Sequence, residues 1–312
     1  MRRLLVGSAL LLAVSAPAQA QCAGGTTQDA CQKAADLWAY MMPQLGTSLT
    51  GGSHTLGMGT TLGGLGHFAL AVRANAVQGA LPDVGNMTVA VGASQISNIA
   101  SPSQYIGLPT VDVALGVFKG IPLGVTRIGG VDLLGSATYV PDVEGDGTAI
   151  TTSDGNLKIG YGARVGILEQ SLIVPGVSVS YLIRDLPTVN LSASATNANF
   201  AITDFSVKTT SWRIAAQKNL LLFQLGAGFG QDTYKSAATL GGDVAGNGFS
   251  TAVSQDLTRT TMYGSLGFNL LIAKVVAEVG QVSGGDVTTF NTFDEAADKS
   301  RLYGTIGLRI SF

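Results

Sequence analysis

The last twelve residues of the chain, RLYGTIGLRISF (301–312), decide the fold. Apolar residues and one glycine occupy alternate positions from Leu302 to Phe312, and polar or small residues occupy most positions between them. Successive side chains of a β-strand point to opposite faces, so one face of this strand suits lipid and the other suits water. The stretch also has the ~10 residues that a tilted membrane-spanning strand needs. The sequence therefore predicts a transmembrane strand at this end of the chain.

The composition is that of a membrane protein without membrane helices. Hydrophobic residues make up 46% of the chain and charged residues only 12%, yet no apolar stretch after residue 20 reaches the ~20 residues of a spanning helix. Every backbone polar group in lipid must be paired, so only helices and closed barrels can span a membrane. We therefore predict an all-β fold, a transmembrane antiparallel up-and-down β-barrel. A soluble β-sandwich is the alternative, because its strands also alternate.

The same alternation recurs from about residue 66 onwards. Twelve strands are the alternative to ten, because 87–94 also alternates and 189–203 has room for more strand. Short connections such as 218–219 and 272–273 are expected in the periplasm, and long ones around 80–109, 142–155, 235–258 and 285–300 outside, which puts both chain ends in the periplasm. Ten strands are predicted near 66–79, 110–119, 128–141, 156–168, 176–189, 204–217, 220–234, 259–271, 274–284 and 301–312.

The N-terminus indicates export. Arg2 and Arg3 precede an apolar run at 4–14, and the small-residue stretch Ala18-Gln19-Ala20 follows, so residues 1–20 are predicted to be a signal peptide. The run is too short for the alternative, an anchor helix. In an oxidising compartment, Cys22 and Cys31 are expected to form a local disulfide rather than to remain free thiols.

Two units are expected after the signal peptide. Residues 29–42 have a helical pattern, with Asp29 as a candidate N-cap and with Pro43 and Gly46 as stop signals. This helix and the glycine-rich stretch 51–66 form an N-terminal unit at 21–65, which we expect to be a periplasmic or luminal plug. Residues 66–312 form the barrel.

The signal peptide, the alternating strands and the closing LYGTIGLRISF resemble bacterial outer-membrane β-barrel proteins. The resemblance implies insertion in outer-membrane lipid of a Gram-negative-type bacterium, with Phe312 as part of the signal read by the barrel-assembly machinery. The N-terminal helix and glycine-rich stretch faintly resemble the luminal hatch of hydrophobic-compound channels related to the long-chain fatty acid transporter. Those barrels usually have more strands.

Polar residues on the water-facing side of the predicted strands are the candidate lumen lining. One interpretation is a selective water-filled path, and the other is a salt-bridge network that fills a narrow barrel. The expected function is accordingly passage of a small or moderately hydrophobic solute, and the alternative is a non-conducting barrel that presents its loops to a surface or partner. The candidates are Arg73, Asp112, Asp132, Lys158, Arg164, Arg184, Asp232, Arg259, Tyr263, Lys274, Glu278, Arg301 and Arg309.

The sequence contains no motif for catalysis. A barrel hydrolase would need His54 or His67 beside a serine and a carboxylate, and neither histidine lies in a recognisable motif. We expect no enzymatic activity and no cofactor. A net charge of −2 and the lack of a basic stripe argue against a nucleic-acid partner.

One stretch resembles the start of a calcium loop. Asp142, Glu144 and Asp146 bring carboxylates together, but Ser153 stands where such a loop has a bidentate glutamate. A plain acidic surface loop is the favoured interpretation, with calcium as the alternative.

Overall fold

The computed structural model describes residues 22, 24–145, 148–195 and 197–312. The predicted signal peptide at 1–20 lies outside these residues. The elements are α1 (Gln28–Thr50), β1 (Phe68–Ala80), β2 (Asn98–Ile99), β3 (Ser103–Phe118), β4 (Ile121–Leu123), β5 (Thr126–Ile128), β6 (Val131–Tyr139), β7 (Val143–Gly145), β8 (Thr148–Thr152), β9 (Leu157–Leu168), β10 (Gly176–Asp185), β11 (Val189–Ala195), β12 (Ala198–Leu220), β13 (Phe223–Val244), β14 (Asn247–Asn269), β15 (Ala273–Ser283), β16 (Thr292–Phe293) and β17 (Arg301–Ser311).

Ten of these strands form a closed antiparallel ring. The order around the ring is β1, β3, β6, β9, β10, β12, β13, β14, β15 and β17, and β17 pairs with β1 again. Each strand of the ring therefore lies beside its predecessor in the chain. The prediction of an all-β, up-and-down barrel is confirmed, and the ring has the ten strands expected rather than twelve.

The outward face of the ring carries a band of exposed apolar side chains. Large apolar residues such as Ile159, Phe229, Leu266 and Ile306 point away from the lumen. A band of this kind, with polar residues on the opposite face of the same strands, is the surface that a barrel presents to lipid.

The connections differ at the two ends of the barrel. One end, here called the turn end, has tight links such as 221–222 and 270–272, and the other, the loop end, has the long connections 81–102 and 284–300. The region 235–258 is not the long loop that was predicted. It continues β13 and β14 to a two-residue turn at Ala245 and Gly246, whose φ angles of 50° and 78° suit a tight hairpin.

The sequence did not identify 235–258 as strand because the apolar and polar faces of β13 exchange sides along its length. Near the turn end, outward residues such as Leu225 and Phe229 are apolar and inward residues such as Asp232 are polar. Beyond residue 234 the inward residues include Leu240, whereas outward residues include Lys235. This part of the strand lies beyond the apolar band, so a single lipid-facing pattern cannot identify it.

Three further strands widen the sheet at the loop end without entering the ring. β11 pairs with the first part of β12, β8 pairs with β11, and β7 pairs with β8. We call these three strands and residues 198–205 of β12 the extension. The extra strand suspected in 189–203 is therefore present as β11, whereas 87–94 forms no strand of the sheet.

Helix α1 is longer than predicted and passes through both expected stop signals. Pro43 lies inside it, and the carbonyl of Pro43 accepts a hydrogen bond from Thr47 Oγ1 at 2.8 Å. At Gly46 the helix packs on the Tyr234 ring, and a Cβ there would lie 2.9 Å from ring atoms. Glycine is thus used for close packing and not for termination. Among the described residues, no helix is both long and apolar enough to cross a membrane.

The N-terminal segment, residues 28–62, shows that the prediction of both chain ends on one side of the barrel is wrong. Asp29 accepts hydrogen bonds from the backbone N–H groups of Ala90 and Gln95 in the 81–102 connection, at 2.7 and 2.9 Å. Helix α1 therefore begins at the loop end, and the chain then runs down the barrel to enter β1 at the turn end. The two ends of the described chain are not on the same side, because the segment crosses the barrel before the first strand. Cys22 and Cys31, joined by a disulfide, lie at the start of this segment.

Candidate functional site

Residues 48–62 lie inside the ring, and most of their side chains are buried. Arginines from four strands of the wall donate hydrogen bonds to main-chain carbonyls of this stretch. Charge-assisted bonds of this kind are worth about 1.5–3 kcal/mol each. The bonds join Arg73 to Ser53 (2.8 Å), Arg184 to Leu49 (3.4 Å) and His54 (3.5 Å), Arg213 to Thr50 (3.0 Å) and Gly52 (3.2 Å), and Arg309 to Leu56.

The wall also supplies acceptors for the N–H groups of the same stretch. Glu278 on β15 accepts from the Ser53 N–H at 3.1 Å, from the Ser53 hydroxyl at 2.6 Å and from the Gly57 N–H at 3.0 Å. Asp132 on β6 accepts from the Leu62 N–H at 3.1 Å. The polar groups of the wall therefore match both the donors and the acceptors of the segment.

Acidic partners neutralise most of the arginines. Arg213 binds both carboxylate oxygens of Asp232, at 2.8 and 3.0 Å. Arg164 binds Asp132 at 2.7 Å, and Asp112 lies between two other arginines. All of these side chains are at most 1% exposed. Buried ion pairs need such additional hydrogen bonds, because desolvation of each charge is costly.

The segment packs against the wall with little free space. A Cβ at Gly59 would lie 2.7 Å from the main-chain carbon of Ala216, and Gly57 has a φ of +65° and faces Val276. The gap that Ser53 and Met58 line beside β13 is too small for a water molecule. The glycine-rich composition of this stretch therefore allows its backbone to approach the strands closely.

The structure brings most of the candidate lumen residues together around the segment. Eleven of the thirteen are buried: Arg73, Asp112, Asp132, Arg164, Arg184, Asp232, Arg259, Tyr263, Glu278, Arg301 and Arg309. Lys274 is half-buried and bonds Gln224 at 2.5 Å. Lys158 is about one third exposed and pairs with Asp154 outside the segment's contacts.

Two of the eleven act elsewhere, at the loop end. Arg259 donates to the carbonyl of Lys299 at 2.8 Å, and Arg301 binds Glu295 at 2.7 Å. Both hold the 284–300 connection rather than the segment. Hydrogen bonds from Lys299 and the charge of Arg301 lower the pKa of Glu295.

The prediction omitted Arg213, which donates hydrogen bonds to two carbonyls of the segment, those of Thr50 and Gly52. It lies between Trp212 and Ile214, so the surrounding residues suggest an apolar stretch. The alternation of the strand identifies it. Arg213 lies two residues after Ser211 and four after Thr209, so its side chain points to the same buried face.

At the loop end the interior changes from charged to apolar. The first turns of α1 pack with Phe200, Leu240 and other apolar residues of β12 and β13 in one cluster. Carboxylates fix the helix to the connections around it: Asp36 accepts from the N–H groups of Phe290 and Asn291, at 3.1 and 2.7 Å. The helix, the extension and the long connections therefore form one packed layer above the charged zone.

Within the described residues, neither histidine is hydrogen-bonded to a carboxylate. His54 Nε2 lies 2.9 Å from the Ser211 hydroxyl, which itself donates to the Leu182 carbonyl at 3.2 Å. The Leu182 carbonyl and His54 Nε2 are thus both partners of the Ser211 hydroxyl. Within the described part of the chain, His54 Nδ1 has no hydrogen-bond partner. His67 contacts the Gly64 carbonyl.

The suspected calcium loop is only partly described, because Asp146 lies outside the described residues. Asp142 accepts hydrogen bonds from the Thr152 N–H at 2.8 Å and from its hydroxyl at 3.1 Å, and these bonds lower the pKa of Asp142. Glu144 is exposed. In the ranges that the structure covers, no group of three or more His, Cys, Asp or Glu side chains is arranged to hold a metal ion.

Phe312 closes the ring at the turn end. Its N–H and carbonyl exchange hydrogen bonds with Phe68, and the two rings lie 5.3 Å apart. The side chain remains more than half exposed on the outward face.

No protein-family model matches the chain, and no curated protein matches it. Among solved structures, the chain is similar to Ail of Yersinia pestis, with a TM-score of 0.29 and 10% identity over 80% of this chain and 99% of that chain. It is similar to the outer membrane protease OmpT of Escherichia coli, with a TM-score of 0.37 and 10% identity over 79% and 96%.

A third similar structure is a mutant of the monoaromatic hydrocarbon channel TodX, with a TM-score of 0.29 and 9% identity over 85% and 97% of the two chains. All three are outer-membrane β-barrels, the class that the sequence resembles. With TM-scores below 0.5, these similarities carry no information on what this chain binds or does.

Proposed function

We propose that the chain is an outer-membrane barrel that is closed at rest and acts through the surface at its loop end. The observation that carries the proposal is the set of six hydrogen bonds from buried arginines to the carbonyls of residues 49–56. In this proposal the apolar band faces lipid, and the N-terminal segment is a luminal plug. Most of the candidate lumen residues then hold the plug in place by hydrogen bonds and do not line an open path.

The energetics support a plug that stays seated. Each buried donor or acceptor left without a partner costs about 1–3 kcal/mol, and more if it is charged. Displacing residues 48–62 would strip partners from four arginines and from Glu278 at the same time. Spontaneous opening is therefore rare, and steady conduction requires another input of free energy.

The loop end is a surface of paired strands and connections that are hydrogen-bonded to each other. β2 and β16 pair with each other and so join the 81–102 and 284–300 connections. From Lys235 to Val244, β13 continues beyond the apolar band for ten residues, which is roughly 30 Å of strand. A surface of this size and order suits contact with a partner or a ligand outside the membrane.

The test is single-channel conductance in planar bilayers. The mature chain is expected to show no steady conductance. A variant that lacks residues 22–62 is expected to conduct if its ring refolds, because it lacks the whole plug, whereas removal of 22–50 alone leaves the Ser53 and Gly57 contacts in place. Steady conductance of the intact chain would refute the proposal. Altered gel mobility on heating, which is typical of folded barrels, controls for refolding.

A second candidate function is gated passage of a small or moderately hydrophobic solute. The observation that favours it is an apolar cavity beside α1 at the loop end, with a volume of about 230 Å³. In that case the segment is a gate rather than a permanent seal. Solute-dependent conductance of the intact chain would support this candidate, and equal closure with and without solute would favour the first.

Assembly through the C-terminal strand remains part of the proposal. Phe312 is exposed at the turn end, where an assembly factor can contact it. Phe312→Ala is expected to lower the yield of inserted barrel in cells, whereas barrel that has already folded loses only the contact of this ring with Phe68 and keeps the backbone bonds between the two residues.

A further inference from the structure

The loop-end cavity lies between α1, the extension and the first residues of the 81–102 connection. Three residues at helical spacing, Ala34, Leu37 and Met41, form one wall. The opposite wall is one face of the extension. There Ile150 pairs with Leu191, and Ala193 pairs with Phe200, so these apolar side chains point the same way.

The walls are held apart by polar contacts made outside the cavity. Asp29 and Asp36 fix α1 to the two long connections. The third wall, at 81–84, is fixed to residues 100–102 by backbone bonds of 3.1 and 2.7 Å. Apolar side chains such as Ile150 and Leu191 are therefore left half-buried, although closure would bury them further. The cavity is preformed, as ligand sites usually are.

We propose that this cavity binds a small uncharged apolar molecule of one or two rings. Its lining has no charged residue, and the one polar residue, Ser192, lies between Leu191 and Ala193 and so directs its side chain to the other face of the strand. A charged ligand would lose its hydration without gaining a partner. Apolar ligands gain free energy in proportion to the area that they bury.

The size of the cavity sets the size of the ligand. An apolar cavity of about 150 Å³ in a protein core stays dry and binds benzene. The loop-end cavity, at about 230 Å³, has room for a larger hydrocarbon but not for a long acyl chain. A two-ring hydrocarbon such as naphthalene is therefore the probe of choice.

The binding test uses the full mature chain in lipid nanodiscs. Equilibrium dialysis of naphthalene against nanodiscs with and without protein separates specific binding from partition into lipid. We expect saturable binding of one naphthalene per barrel. Binding of 2-naphthoate, which has the same rings and a negative charge, is expected to be weaker by about tenfold or more, equivalent to ~1.4 kcal/mol.

Variants identify the cavity as the site. Ala193→Trp fills it and is expected to weaken naphthalene binding by about tenfold or more. Ala201→Leu is the matched control, because Ala201 follows Phe200 on β12 and points to the other face. If Ala193→Trp does not fold, Leu191→Trp fills the cavity from the same strand.

Equal binding by the intact chain and the filled variant, or equal binding of naphthalene and 2-naphthoate, would overturn the inference. The naphthalene-binding result is independent of the conductance result. A barrel that conducts steadily and still binds naphthalene would refute the closed state and leave the cavity assignment intact.

Discussion

Replacement of Asp232 by alanine tests whether the interior is sealed. Asp232 binds Arg213 through two hydrogen bonds, and both side chains are 0% exposed. Removing one partner of a buried pair leaves the other charge without compensation, which costs about 3–5 kcal/mol. We therefore expect Asp232→Ala to lower the free energy of unfolding by that amount. This is roughly two to four powers of ten in the folding equilibrium constant.

The assay is urea unfolding of the refolded protein in lipid vesicles, followed by tryptophan fluorescence. Asp256→Ala on the neighbouring strand is the control. Asp256 faces Lys235 at 3.8 Å, and both side chains are more than 60% exposed. An exposed pair is worth about 0–1 kcal/mol, so this variant should unfold almost as the parent does.

A double variant separates the ion pair from the plug contacts. Arg213→Met combined with Asp232→Ala removes both charges, and much of the lost stability should return. The return should be incomplete, because Arg213 also binds the carbonyls of Thr50 and Gly52. If Asp232→Ala lowers the free energy of unfolding by less than about 1 kcal/mol, as loss of an exposed pair does, the interior is hydrated. The proposal that the segment plugs the barrel is then wrong.

The remaining predictions concern the seat of the segment and the loop end. Gly46→Leu should lower the free energy of unfolding by about 1–3 kcal/mol, because its side chain would collide with the Tyr234 ring, whereas Gly24→Leu, which has no atom within 4 Å, should change little. Gly59→Val should push the segment off Ala216 and give conductance events that the parent lacks; a silent variant would contradict the tight fit. The lowered pKa of Glu295 means that its contribution to stability is present above its ordinary pKa of 4.5 and is lost as pH falls through the lower folded value. The protection factors of backbone amides in the 284–300 connection, which express exchange relative to the intrinsic rate at each pH, should therefore fall on acidification in the parent, and Glu295→Gln should abolish that fall; an unchanged profile in the variant would assign the effect to another group.

The strands within the apolar band were predictable because their signal is local. A strand that separates lipid from a polar interior must alternate with period two, and this property is visible in 301–312 without any partner. The same alternation assigned most of the buried charged residues to the inner face. It failed to identify the part of β13 beyond residue 234, which lies outside the apolar band, and it failed to identify Arg213, which lies between apolar residues.

What fills the barrel was decided by the tertiary structure. Residues 51–62, which follow α1, have no periodic pattern, and their conformation follows from contacts with strands that lie far away in the sequence, such as Glu278 with Ser53. Sequence alone determined that polar side chains line the interior of a ring of strands. Only the closed ring determined that these side chains bind a segment of the same chain, because ten strands leave a space narrow enough for arginines from opposite walls to reach one backbone.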